Sequence, residues 1–284
     1  MFKKIAVFIM ALAMVISFTA CYGDDDNGSL SAEEIIDKSV QVMRDVVSYR
    51  ADMDMVMDIA VVDESGEYNL TMTAAINGTF DIENQKMMMD MIMEMSMLGM
   101  SFNITGESYL INDMMYNMNG DEESGYMWTK SEMPEGYWEE VNQMDTQVDM
   151  LEVVYVEITG SEMIEGVECY ILKLNPDIEQ LWQLVMQQSS LTGEEMLPEI
   201  DIELYQDIFK DFHMRQWVAK DTYYIARAEM GILMEATAEE MGYTEEEGSM
   251  TADITIDILA YDYNQPVTIV LPAEAEDAEL VDIY

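Results

Sequence analysis

Lys86-Met87-Met88-Met89-Asp90-Met91-Ile92-Met93-Glu94-Met95-Ser96-Met97 is the stretch on which the fold turns. Met87, Met89, Met91, Met93, Met95 and Met97 stand at alternate positions, with Asp90, Glu94 and Ser96 between them. Successive side chains of a strand point to opposite faces, so this pattern reads as a strand with one apolar and one wet face.

The same period extends in both directions. Upstream, Met53, Met55, Met57, Ile59 and Val61 alternate with Asp52, Asp54 and Asp58. Asp63-Glu64-Ser65-Gly66 is a turn signal. The return strand places Tyr68, Leu70, Met72, Ala74 and Ile76 opposite Asn69, Thr71, Thr73 and Asn77. Before this block, Ser31 and Glu34 form a capping box, and Ile36, Val40, Met43 and Val47 mark one face of a helix over roughly 31–48.

Downstream, short strands are expected around 108–112, 114–118 and 126–130. Tyr137, Val141, Met144, Val148 and Leu151 return to helical spacing after Pro134 and Gly136. A hairpin follows, 153–163 and 167–174, turning at Glu165-Gly166. Asn175-Pro176 suits a helix start, with Ile178, Leu181, Trp182, Val185 and Met186 as its apolar face. Residues 192–198 read as a loop, and 199–209 carries no decisive period. Phe212, Met214 and Val218 then alternate, Lys220-Asp221 turns the chain, and Tyr224, Ala226, Ala228, Met230, Ile232 and Met234 alternate with Arg227, Glu229 and Glu235. After an acidic linker, 239–248, Met250, Ala252, Ile254, Ile256 and Ile258 alternate with Asp253, Thr255 and Asp257. A last strand is expected over 266–271. Strands this long with one apolar face need cover, and large twisted sheets curl. The expected fold is α+β, a large curled antiparallel sheet, a half-barrel of about ten or eleven strands, with helices packed over its concave face.

The N-terminus carries a separate signal. Lys3 and Lys4 precede an apolar run from Ile5 to Phe18, and the small pair Thr19-Ala20 precedes Cys21. This describes a secretory leader whose apolar run is too short for a comfortable membrane span. Phe18-Thr19-Ala20-Cys21 resembles a lipobox, with Phe18 where Leu is usual. That resemblance implies cleavage after Ala20 and a diacylglyceryl anchor on Cys21; the alternative is an ordinary leader with a chance cysteine. The expected organisation is a signal peptide over 1–20, a flexible tether over 21–30, one domain over 31–272 and an acidic tail over 273–284. The expected location is the extracytoplasmic face of a membrane, cell surface or periplasm, with lipid as the anchor.

The 284 residues include 12 Lys and Arg against 58 Asp and Glu, a formal charge of −46, which becomes about −48 without Lys3 and Lys4. Such a balance excludes nucleic acid as a partner, because that binding releases phosphate counterions through basic residues. It also opposes docking on anionic headgroups. A solvated, self-repelling exterior is the plain reading. With Cys21 lipidated, Cys169 has no disulfide partner and is expected as a small buried apolar side chain. Glycosylation acceptors occur at Asn69, Asn77 and Asn103, relevant only where the source exports through such a pathway.

The layout carries a resemblance. A capped helix ends in Val47-Ser48-Tyr49-Arg50, long hairpins follow, and then Met127-Trp128-Thr129-Lys130. Gly166-Val167-Glu168-Cys169-Tyr170 and Trp217-Val218-Ala219-Lys220-Asp221-Thr222-Tyr223 come next. The order closes with Tyr263-Asn264-Gln265-Pro266-Val267-Thr268-Ile269 and Leu271-Pro272. In this order and in these motifs the chain resembles the LolA/LppX-like superfamily of lipoprotein carriers and lipid-binding lipoproteins. The resemblance implies an open half-barrel whose apolar cavity, between sheet and helices, holds acyl chains.

The 31 methionines admit three readings. They fill a core; or they bound a cavity for lipid or a lipid-modified ligand, since unbranched thioethers repack around variable chains; or they bind Cu(I), which thioethers select, around Met91-Ile92-Met93-Glu94-Met95. On the cavity reading the lining residues are Met53, Met55, Met57, Leu70, Met72, Met89, Met91, Met93, Met95, Met230, Ile232, Met234, Ile254 and Ile256. A structural or interaction module with a filled core is the alternative to a carrier. His213 is the single histidine and is expected on an outward strand face, so a Ser-His-Asp triad or His-based zinc site lacks parts. There is no P-loop, dinucleotide fingerprint or calcium loop. The expectation is a non-enzyme with no cofactor and no metal.

Overall fold

The computed structural model describes residues 30–63, 66–121, 125–134, 138, 154–176, 208–237 and 248–281. The leader, Cys21 and the tether up to residue 29, most of the two later expected helices, and the acidic linker lie outside these residues.

The first element of the described residues is helix α1, Ala32–Arg44. The capping box forms as the sequence predicts. The Ser31 amide donates to Glu34 Oε2 at 2.8 Å, and the Glu34 amide donates to Ser31 Oγ at 3.2 Å. Glu33 and Glu34 lie at the positive end of the helix dipole and Arg44 at the negative end.

Among the described residues twelve strands follow: β1 (Ser48–Asp63), β2 (Gly66–Asp81), β3 (Lys86–Met97), β4 (Met100–Ile111), β5 (Met114–Asp121), β6 (Gly125–Glu132), β7 (Val154–Ile164), β8 (Val167–Pro176), β9 (Phe209–Ala219), β10 (Ile225–Thr237), β11 (Ser249–Tyr261) and β12 (Glu279–Leu280). Helix α2, Ala273–Glu276, precedes β12. All twelve belong to one open sheet in the order β12-β6-β5-β4-β3-β2-β1-β11-β10-β9-β8-β7. Hairpins pair β2 to β6 and β7 to β10 antiparallel in chain order, and β12 runs parallel to β6.

Several expectations need correction. Strand β4 begins at Met100, well before the expected Ser108, because Leu98 and Gly99 form a two-residue turn with both φ values positive, 53° and 76°. Turns of that hand match strand twist, and only Gly99 advertises one. Asn175 and Pro176, expected as the cap and first residue of a helix, instead close β8, paired with Tyr155 and Val154, and the residues that follow lie outside the described ones. At a strand end the missing proline donor costs little. Residues 266–271 form no strand. Pro266 offers no amide, and the chain before it is tied to the start of β1: Asn264 N donates to Ser48 O at 2.8 Å, Ser48 Oγ to Gln265 O at 2.7 Å, and Val47 N to Asn264 Oδ1 at 2.8 Å. The acidic tail carries α2 and β12, held to β6 by Lys130 Nζ donating to Glu276 O and Val281 N donating to Lys130 O.

The chain divides into two compact units. The first takes its described residues from Met1–Met43, Met57–Asn69 and Met144–Ile256; the second takes them from Arg44–Val56, Leu70–Gln143 and Asp257–Tyr284. In the first, Ile35, Ile36 and Met43 of α1 are buried, and Lys38 lies over the Tyr223 ring at 4.8 Å. Its sheet face is closed around Leu172, Leu174, Met214, Val218, Met230 and Ile256. In the second, the core gathers Met87, Leu110, Met133 and Trp138, with Phe80, Ile82, Met89 and Met115 against them. Trp138 is helical and is the described residue of the helix expected after Pro134.

Candidate functional site

In the second unit, β2, β3 and β4 present one continuous face that carries no charge. Register places Met72 opposite Met95, Ala74 opposite Met93, Ile76 opposite Met91, Gly78 opposite Met89 and Phe80 opposite Met87. On the other side of β3, Met97 meets Met100, Met95 meets Phe102, Met93 meets Ile104, Met89 meets Ser108 and Met87 meets Leu110. Tyr49 of β1 stacks on Phe80, ring centroids 4.5 Å apart, so the alternate residues Met53 and Met55 share this side. A charge placed here would lose hydration without a partner, which accounts for its absence in so acidic a chain.

Exposure rises along the face. Met87 and Leu110 are buried under Trp138. Met89, Met91, Met93 and Met95 are half-buried, while Ile104, Phe102 and Met100 reach 37%, 44% and 51% exposure. Toward β5 and β6 the face turns polar: Ser108 Oγ donates to Asn117 Oδ1 at 2.8 Å and Thr129 Oγ1 to Asn117 O at 3.4 Å.

The reverse of this hairpin is acidic. Asp90 sits directly opposite Glu107, and the Tyr109 hydroxyl donates to Glu107 Oε2 at 3.3 Å. Burial pushes the Asp90 carboxyl up. Burial, then the charges of Glu107 and Asp90, push the Tyr109 hydroxyl up to about 12.

The sequence-predicted lining therefore divides. Met53, Met55, Leu70, Met72, Met89, Met91, Met93 and Met95 belong to the second unit, all but Met72 half-buried. Met57, Met230, Ile232, Met234, Ile254 and Ile256 belong to the first unit and are buried, Met230 and Ile256 at 0% exposure. A side chain with no accessible surface is in contact on all sides and borders no open hollow. Trp138, Met115, Phe102 and Ile104 belong to the second unit's face and were not expected there. The alternation Met100-Ser101-Phe102-Asn103-Ile104-Thr105 would have revealed the last two.

The remaining candidates of the first unit are structural. Cys169 is fully buried, and burial raises its thiol pKa. His213 is half-buried on the outward face, over Gly231 and 3.4 Å from Asp211 Oδ2. Trp217 Nε1 donates to Glu162 Oε2 at 2.7 Å, Arg227 lies over the indole at 4.5 Å, and Glu229 bridges Arg227 and Arg215. Among the described residues no group of three or more His, Cys, Asp or Glu could hold a metal ion, and no helix is long and apolar enough to cross a membrane.

Comparison with known proteins gives a family and a set of solved structures. The model of DUF6612, described as a family of unknown function, matches residues 31–279. The comparison with curated proteins gave no match. LprF from Mycobacterium bovis matches at 12% identity and TM-score 0.44, over 85% of this chain and 97% of that one. The lipoprotein LppX from Mycobacterium tuberculosis matches at 11% identity and TM-score 0.34, over 83% and 96%. At these identities and scores the likeness carries neither ligand nor activity to this chain.

Proposed function

We propose, for a chain that belongs to the DUF6612 family, that it is a lipid-anchored extracytoplasmic lipoprotein holding an acyl chain against the methionine-lined face of β2–β4. The observation that carries this reading is the uncharged, half-buried face itself, on a chain of formal charge −46. Each CH₂ that an acyl chain buries there contributes about 0.8 kcal/mol, so a long chain binds without a polar contact. Methionine suits the task because three rotatable bonds let one surface fit chains of different shape. The ligand residues are Met53, Met55, Leu70, Met72, Met89, Met91, Met93 and Met95; the buried set of the first unit acts as core. The lipobox-like Phe18-Thr19-Ala20-Cys21 supplies the membrane tie, and the ligand is lipid or a lipid-modified molecule. Nothing in the reading calls for catalysis.

The test is lipid extraction and mass spectrometry of full-length protein purified in mild detergent. The expected result is noncovalent acyl lipid in the wild type, reduced several-fold in Met91→Glu, and loss of membrane association in Cys21→Ala. Delipidated protein that rebinds no labelled fatty acyl probe would end the acyl reading. A specific observation favours a filled-core interaction module for the first unit: its face is closed, Leu172 and Leu174 having no exposure. Met230→Glu is accordingly expected to unfold the protein rather than release ligand.

A further inference from the structure

The outer end of the methionine face holds a group of thioethers that neither the core reading nor the acyl reading uses fully. Met72 and Met95 are register partners, as are Met97 and Met100. Directly opposite residues have Cβ atoms about 5 Å apart and diagonal ones about 7–8 Å. Met95, Met97 and Met100 therefore form one triangle on adjacent strands, with Met72 behind it. The spacing along a single strand does not achieve this. Met91 and Met95 are four residues apart, about 13 Å at 3.3 Å per residue, too far to share one ion. Cross-strand register makes the cluster.

Burial alone does not explain methionine at this end. Met72 is buried, Met95 and Met97 are half-buried, and Met100 is 51% exposed. Strands favour β-branched and aromatic residues. The surroundings exclude hard cations: Leu70 faces Met97 and Phe102 faces Met95, while Glu94 and Ser96 point to the opposite side. Calcium, magnesium and zinc call for oxygen or nitrogen ligands, and no carboxylate faces this side of the hairpin. We propose that Met95, Met97 and Met100, backed by Met72, form a surface-accessible Cu(I) site built of thioethers alone. No bond is made or broken beyond coordination, and a thioether has no proton to lose. Binding should therefore be the same at pH 6 and pH 7.5.

The site shares Met72 and Met95 with the proposed acyl face, so it is tested on the delipidated full chain with Cu(I) itself, without oxygen, in competition with the chromophoric chelator bicinchoninate. The expected result is one equivalent of copper withheld from the chelator, unchanged between the two pH values, with X-ray absorption showing sulfur as the ligand. Leucine keeps methionine's volume, so M95L/M97L/M100L should fold and lose at least tenfold in affinity. M163L, altering an exposed methionine of β7, should bind as the wild type does. If the triple variant misfolds, M100L at its exposed position serves instead and should lose severalfold. Copper left wholly with the chelator, uptake spread over several weak equivalents, nitrogen or oxygen ligands, or full binding by the leucine variants would each overturn the proposal.

Discussion

Gly231 shows how one hydrogen in place of a side chain sets a neighbour's position. It is the register partner of His213, and a Cβ at 231 would collide with the imidazole ring. Gly231→Ala should destabilise the protein by about 1–3 kcal/mol, as forced overpacking does. In His213→Ala/Gly231→Ala that cost should largely vanish, because the ring is gone. Equal costs in the single and double variants, measured by urea unfolding, would show that the ring is not the obstacle. Asp90 gives a pH-dependent case. Its folded pKa is raised above the ordinary 3.8 by burial. Such a group favours the folded chain when protonated; its contribution is complete below the ordinary value and is lost as pH rises through the raised one. Asp90→Asn, neutral throughout, should therefore unfold at higher denaturant than the wild type at pH 7 and at the same concentration at pH 3. A variant less stable at pH 7 would mean that the carboxylate's contacts outweigh its desolvation.

The elements differ in how openly the sequence declares them. Helix α1 was legible to within a few residues, because Ser31 and Glu34 answer each other's backbone amides. Ser31→Ala should cost about 1 kcal/mol, seen as a lower thermal midpoint; an unchanged midpoint would mean the box is redundant with the packing of Ile35 and Ile36. Strands β1, β2, β3, β10 and β11 were legible from strict alternation. The front of β4 was missed because its turn rests on Leu98 at positive φ, a conformation that leucine does not advertise. Residues 266–271 failed the other way: their apolar pattern suits a strand, yet Pro266 and the bonds from Asn264 and Gln265 commit the backbone elsewhere. Local pattern sees side chains, whereas these outcomes were decided by backbone partners from distant parts of the chain.

At the scale of the whole molecule, charge dominates. With a formal charge of −46, the folded chain carries strong self-repulsion that salt relieves. Between 0.01 M and 1 M salt the screening length falls from about 30 Å to about 3 Å, so the denaturation midpoint should rise steeply with sodium chloride. A flat response would mean that the acidic residues are balanced by bound cations even at low salt. The candidate site was legible in composition and in the face each methionine takes. What alternation did not reveal was the grading of exposure, because periodicity assigns a side without saying how thickly that side is covered.

The strand order has a temporal consequence. Strand β1 lies in the interior of the sheet, flanked by β2 and by β11, although β11 is synthesised long after it. Most hairpins can zip up locally as they emerge, but the β1–β11 seam must wait until β11 itself has been delivered, and long-range pairings of this kind are slow. Until then one rim of β1 stands open, an invitation to pair with another molecule. A nascent chain halted before residue 249 should thus depend on chaperones and be prone to aggregate, whereas a chain that carries β11 seals the gap.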